Sequence, residues 1–568
     1  MPAPTATLVE LRVLEGPNLY FPRPAIKLTI GVEPLLGFDE RRFAAIAARL
    51  DDHGRPGSPG TEHRRRATAR LAADALKRLA QATDVRLGVR SRPGARPDEV
   101  VVAYPWRRLG TAEAAGREVP GILDVVTARR SLRRALAAAA ERVLAADPGQ
   151  EPGVPDPDMP VISVTGTNGK TSTVRLLAHL VRTAGRSVAY SSTDGVFRGD
   201  DELVEDGDYS GFAGASLALA QHPDVAVLET ARGGILLRGV GVTHNDVAVV
   251  TNVSEDHLGL HGIRTVDQLA EVKATITRIT RPDGWDVLNA DDPRVLAMQR
   301  VATGRTWLCS NDHDHPAIRE ALARGGRATA PLDGRIAVFE GRVARPLVPL
   351  LDVPMTIAGI SSSNVMNAMQ AASAALAVGI PERAVVRGLR TFVLDAARNP
   401  GRANLFEIDG RVVVVDYAHN EAGMAGLIEI ARGLRRRGRD VWVAICTAGD
   451  RTDEILHRFA YRAARGADHV AIAELHRYLR GRDPEDVISR LLEGALEAGK
   501  DDVEVYPDEL AALQALLGKA ERGDVVAVTA LAMRAEVFAW LEEHGGRPLS
   551  PGEVRRIVAN ARRRAARR

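Results

Sequence analysis

Four short aliphatic, β-branched runs, VISVTG (161–166), VAVLET (225–230), VAVVTNV (247–253) and WDVLNAD (285–291), are separated by stretches long enough for crossover helices. Strands buried on both faces of a parallel sheet read as such near-continuous apolar runs. The pattern predicts an α/β domain over 161–398. A second series follows Pro400: VVVVDYA (412–418), VWVAICT (441–447), HVAIAE (469–474), VEVYP (503–507) and VVAVTA (525–530). It alternates with Ala/Leu/Arg-rich helical stretches and predicts a Rossmann-like α/β domain over 399–545. Upstream, strands at Glu10–Val13 and Ile26–Ile30 flank GPN (16–18), and Arg64–Ala82 has helical apolar spacing. These predict a small α+β domain over 1–146. Asp147–Pro160 concentrates proline and glycine and reads as a linker. The last stretch, 546–568, is read as a basic tail: it ends in EVRRIVANARRRAARR (553–568), which is expected to form a solvated or frayed terminal helix, a dock for an acidic polymer or nucleic acid being the alternative.

Composition narrows the partners. Lys+Arg 76 against Asp+Glu 73 leaves a net charge of +3 over 568 residues, which gives no bulk argument for a nucleic-acid surface. The N-terminus lacks a basic stretch followed by an apolar one, and no apolar run reaches the ~18 residues of a membrane span, so no membrane role is expected. Cys309 and Cys446 form neither a disulfide framework nor a zinc pattern, and a reducing, cytoplasmic setting is expected. Only six of the 76 basic residues are lysine. A lysine amine can lose its proton and react where a guanidinium does not, so a lysine inside a motif invites a functional reading.

The strongest motif is VISVTGTNGKTST, a strand running into Gly166, Thr167, Asn168 and Gly169, with Lys170, Thr171 and Ser172 opening a helix. Backbone amides and the helix N-terminus would cradle phosphates, Lys170 would reach their outer oxygens and Thr171 would hold Mg²⁺. Val164 stands where the usual P-loop pattern has its first glycine. Glu229 ends the next strand, where ligands of parallel sheets gather, and could hold a magnesium ion. Asn252, Asp256 and His257 follow a further strand on the same edge; His257 reads as a loop residue or a metal ligand.

GTNGKT, the strand-end Glu, TN-x-x-x-DHLG, VLNADD (287–292) and DYAHN (416–420) occur in the order found in the Mur ligase superfamily of ATP-dependent amide ligases, which this sequence resembles. SSTDG (191–195), GDYSG (207–211), LETARGGIL (228–236), PGRANLFEIDGRVVVVDYAHN (400–420) and GDRTDE (449–454) are similar to the Mur-type half of the cyanophycin synthetases. LRVLEGPNLYFPRPAIKLTI (11–30) resembles the opening of their N-terminal domain. Their ATP-grasp domain, which extends a poly-aspartate backbone, has only the linker in its place here.

The resemblance implies a Mur-type central ATPase domain and these roles. Lys170 and Thr171 would contact phosphate and magnesium, and Glu229 and His257 a second magnesium. Lys273 falls where many such ligases carry a carbamylated lysine that helps to hold Mg²⁺. Asn289 and Asn364 would contact adenine, although GISSSN (359–364) departs from the usual G-x-H-N. Arg402, Asp416 and His419 would close over phosphates and ribose. Thr193, Asp208, Ser210 and Arg232 fall on the substrate side. The expected activity is ATP-dependent amide bond formation: a carboxylate acceptor, an acidic peptide polymer among the candidates, is activated as an acyl phosphate and joined to an amino acid or peptide amine. A noncatalytic or NTP-gated polymer- or peptide-binding protein is the alternative, and assembly into a homo-oligomer stays open.

Overall fold

The computed structural model describes residues 5–256 and 258–565, with side chains through residue 561. Its N-terminal part is an antiparallel sheet of β1 (Thr7–Leu14), β2 (Ala25–Gly31), β3 (Arg90–Pro93) and β4 (Glu99–Pro105) in the order β1-β2-β4-β3. Helices Glu62–Ala82, Leu109–Thr127 and Leu132–Ala145 cover one face. The GPN loop docks elsewhere: Leu19, Tyr20 and Phe21 join the apolar core of the central part. Gly16 lies so close to the Val240 carbonyl that a Cβ would overlap it, so glycine is required at this approach. Residues 147–160 form no helix or strand.

The central sheet has eleven strands. They are β5 (Val161–Thr165), β6 (Val188–Ser192), β7 (Gly195–Arg198), β8 (Glu202–Glu205), β9 (Val225–Glu229), β10 (Asn245–Val250), β11 (Thr280–Asn289), β12 (Arg305–Cys309), β13 (Arg327–Leu332), β14 (Arg335–Glu340) and β15 (Val343–Pro349). The order is β15-β14-β13-β12-β11-β10-β5-β9-β6-β7-β8. β5 lies between β10 and β9 and parallel to both, so the ends of three buried strands open at one edge. That is the edge where such sheets bind ligands. The outer members, β13–β15 and β6–β8, are antiparallel. Beneath the sheet, helix Lys170–Thr183 packs on helix Ser362–Ala377, whose run of buried alanines lets the two approach closely.

A second sheet comprises β16 (Asn404–Ile408), β17 (Arg411–Asp416), β18 (Val441–Ile445), β19 (His469–Ala473), β20 (Glu504–Tyr506), β21 (Val525–Thr529) and β22 (Arg547–Pro548). Its order is β20-β19-β18-β21-β17-β16-β22, parallel from β20 to β17. The expected terminal helix runs Pro551–Ala565 after β22, but it is docked and not free in solvent: Val554 and Val558 are buried against the core. Two apolar residues one turn apart therefore dock a helix whose composition alone reads as basic and solvated.

Candidate functional site

A cleft of about 1010 Å³ opens between the strand ends of the two α/β sheets. At its base β5 turns at Gly166 and Gly169, with φ of 152° and 84°. Both glycines are dictated by space: a Cβ at Gly166 would overlap Thr251, and one at Gly169 would meet the Asn367 side chain at 2.5 Å. The loop is fixed by its neighbours. Asn168 N–H donates to Asn252 Oδ1 at 3.0 Å, Asn252 Nδ2 and Thr251 Oγ1 donate back to Asn168 O at 3.0 and 2.6 Å, and Thr167 Oγ1 donates to Ser254 O at 3.1 Å. Ser172 Oγ accepts from Asn399 Nδ2 at 3.1 Å, tying the P-loop helix to the connection between the sheets.

The charged groups gather around this loop. Lys170 Nζ donates to Thr167 O at 2.9 Å. Thr171 Oγ1 donates to Glu229 Oε2 at 2.9 Å and lies 3.2 Å from Thr193 Oγ1. Glu229 is 1% exposed, and its Oε1 has no hydrogen-bond partner. Burial pushes its carboxyl up from the ordinary range against the opposing pull of Lys170, the Thr171 hydroxyl and Arg402. Lys273, at the end of helix Val266–Lys273, is 3% exposed and donates to Gly166 O at 2.6 Å. Burial, reinforced by the Lys170 charge, lowers its amine well below the usual lysine range. Two of the six lysines thus meet at one turn.

Asp208, Ser210 and Arg232 line the same cleft, Ser210 Oγ donating to Asp208 Oδ1 at 2.6 Å. Arg402, Asp416 and His419 face them from the second sheet. Arg402 lies over the Tyr417 ring at 4.3 Å, with Nη1 buried and lacking a hydrogen-bond partner. Of the two asparagines expected at adenine, Asn364 lines the cleft and Asn289 does not. Asn289 turns to the backbone instead: its Nδ2 donates to Thr251 O at 2.8 Å and its Oδ1 accepts from Asp291 N–H at 2.9 Å. His257 lies outside the described residues.

Three contributors escaped the sequence reading. Asn420 and Asn168 form a reciprocal amide pair across the cleft, each Nδ2 donating to the other's Oδ1, at 3.1 and 3.0 Å. Asn420 also caps helix Glu421–Leu434 by accepting from Gly423 N–H at 2.9 Å, and an asparagine before a helical apolar run was the available signal. Arg451 is 5% exposed and pairs with Asp256 at 3.0 Å and Asp450 at 2.9 Å. Its place just past β18 follows the strand-end rule. Asn367, pressed against Gly169, carried no signal beyond helical periodicity.

Comparison with known proteins matches residues 164–375 to the Mur ligase middle domain and 401–531 to the Mur ligase glutamate ligase domain. A cyanophycin synthetase of Crocosphaera subtropica is 38% identical over 372 residues, 65% of this chain and 42% of that protein. The chain therefore spans less than half the length of that curated relative. A UDP-N-acetylmuramyl-tripeptide synthetase of Deinococcus radiodurans is 28% identical over 432 residues, 74% of this chain and 80% of the relative. The solved structure of Escherichia coli FolC in complex with ADP, at 21% identity, superposes with a TM-score of 0.51 over 69% of this chain and 92% of that one, a likeness of fold. Among the described residues no helix is long and apolar enough to cross a membrane.

Proposed function

The chain belongs to the Mur ligase family, and from that premise we propose that it is an ATP-dependent amide ligase acting on an acidic, peptide-like acceptor and the amine of an amino acid or short peptide. The observation that carries the reading is the convergence, on one P-loop, of Lys170, the Thr171–Glu229 pair and buried Lys273, faced across the cleft by Arg402.

The acceptor carboxylate attacks the γ-phosphoryl of ATP, releasing ADP and leaving an acyl phosphate. The amine then attacks the acyl carbon and expels phosphate. Loop amides and Lys170 hold the phosphates, and Arg402 approaches from the second sheet to offset charge on the transferred group. Arg402 Nη1, buried and without a hydrogen-bond partner, is a donor awaiting an anion. Holding the reactants between two sheets supplies proximity and keeps water from the acyl phosphate.

Magnesium fits this donor set, because the buried Glu229 Oε1 lacks a partner and Thr171 offers a second hard oxygen beside it. Thr171 and Glu229 would hold the ion together with His257 and a carbamate on Lys273; bound there, it would neutralise phosphoryl charge. Burial favours the neutral Lys273 amine, the form that reacts with dissolved CO₂.

The test is phosphate release from ATP and Mg²⁺ with pools of amino acids, dipeptides and aspartyl peptides, followed by mass measurement of any adduct. The expected result is release that depends on one acceptor–amine pair, with an adduct equal in mass to the two minus water. Release no greater than that of a folded Lys170→Ala variant with every pool would overturn the proposal.

A further inference from the structure

A second cavity, of about 300 Å³, lies where residues 351–358 of the central part, the segment after helix Glu382–Thr391, β16 and the C-terminal helix meet. Its floor is apolar and closed: Ile357, Leu394, Ala403, Leu405, Leu549 and Val554 are each 9% exposed or less. Its rim is charged. Arg390 and Arg555 converge there on a single carboxylate, Asp352, at 3.5 and 3.2 Å. Two guanidiniums sharing one carboxylate leave a positive charge in excess at the mouth of an apolar pocket, the complement of an apolar body with one anionic head. This is the pattern of a small-molecule site, mostly apolar with a few convergent polar groups.

The backbone of the wall points the same way. Ile357, Ala358 and Ala403 have φ of 53°, 51° and 52°, left-handed values that are uncommon outside glycine and that the β-branched Ile357 adopts only where its surroundings force them. Such residues gather at ligand clamps and switch points. Ala403 also lines the ligase cleft, follows Arg402 directly and donates its N–H to Asp416 Oδ2 at 2.7 Å. The cavity walls come from both α/β parts, so an occupant would bind across their junction.

We propose that this cavity is a second ligand site, for a small amphipathic carboxylate whose head takes up the positive charge that Asp352 leaves unbalanced on Arg390 and Arg555, and that its occupancy favours the closed arrangement of the cleft. The coupling half rests on the nucleotide reading above; the binding half does not. An occupant that bridges both parts stabilises the arrangement in which Arg402 and Asn420 face the P-loop, so it tightens nucleotide binding, and by linkage the nucleotide tightens it equally.

The test is calorimetric titration of the full chain with octanoate, with octanol and octylamine as uncharged and cationic controls. Saturable octanoate binding is expected, with octanol at least tenfold weaker, octylamine not binding, and the Arg390→Gln/Arg555→Gln variant at least tenfold weaker at an unchanged melting temperature. Leu549→Trp, which fills the floor, should abolish binding; should that variant not fold, the arginine variant and octanol decide. Absence of saturable octanoate binding, octanol binding as tightly as octanoate, or unchanged affinity in the arginine variant would each overturn the site. Saturating octanoate should also tighten ADP binding at least threefold in the wild type and not in the arginine variant. An unchanged ADP affinity would refute the coupling alone, and failure of ADP to bind at all would refute the nucleotide reading while leaving the octanoate result to stand.

Discussion

The amide pair between Asn168 and Asn420 should hold the two sheets closed over the P-loop, and its contribution is separable from the helix cap that Asn420 also makes. Asn420→Ser keeps a capping oxygen but cannot reach Asn168, whereas Asn420→Ala loses both. The pair has two neutral hydrogen bonds, each worth about 0.5–1.5 kcal/mol net, so the clasp should contribute about 1–3 kcal/mol to closure. Loss of the cap adds about 0.5–2 kcal/mol for Asn420→Ala. Asn168→Ala removes the same clasp from the other side while leaving its backbone bonds to Asn252 intact. Calorimetry of ADP binding should therefore show Asn168→Ala and Asn420→Ser each weakened about 5- to 150-fold, with the double variant no worse than the weaker single one. Additivity within about 0.5 kcal/mol across that cycle would mean that the pair carries no closure energy, and the reasoning would fail.

Lys170→Ala should abolish phosphate release with an unchanged melting curve, because the Nζ makes one bond to a loop carbonyl and joins no core. Lys273→Ala should lose most turnover and regain part of it with added short-chain carboxylates; full activity in bicarbonate-free buffer would exclude the carbamate. Asp286 is buried on β11 and burial raises its pKa to about 7 from 3.8, opposed by bonds from Thr280 Oγ1 and Gly304 N–H. An acid whose folded pKa is raised loses stability as pH climbs between those two values, up to about 4 kcal/mol here. Asp286→Asn should therefore melt above the wild type at about pH 8, with the gap closing below about pH 4. The amide retains both contacts: its oxygen takes Gly304 N–H, and its nitrogen donates to Thr280 Oγ1, which can itself donate to Ile276 O at 3.2 Å.

Most of the parallel strands were legible because burial on both faces writes them as unbroken aliphatic runs: VAVLET becomes β9 and VVVVDYA becomes β17 with shifts of one or two residues. The parallel strands β6 and β12 and the antiparallel margins were not. RATAPL (β13) and VARPLVP (β15) mix arginine and proline with apolar residues, and β15 exposes its first four positions, so neither period nor continuity marks them. The P-loop was readable because glycine, lysine and threonine each answer a local demand within six residues. Asn289 was ambiguous for the converse reason: a strand-end asparagine serves equally as a ligand contact or as a partner for a carbonyl beside the neighbouring strand, and the sequence does not report its neighbour Thr251. The Asn168–Asn420 pair joins residues 252 apart in the chain, and no one-dimensional pattern reports such a distance.

The electrostatics of the cleft give a reason for the site to be divided between two sheets. Around Gly166 the cleft buries Glu229 and Lys273 together with the Arg402 Nη1 donor, and burial pushes the first two toward their neutral forms in opposite directions. Each shift follows from a charge held away from water without a full partner, which costs free energy when no ligand is bound. A nucleotide accompanied by a divalent cation offers what is missing on both sides: phosphate oxygens for Lys170 and Arg402, and positive charge for Glu229. On the proposed reading, the groups that destabilise the empty cleft would be the ones that favour the filled one, and ligand binding would draw the sheets together. Glu229 and Lys273 both belong to the central part, so the cost of burying them is carried there; only that of Arg402, just before β16 of the second sheet, would fall on the closed, empty state.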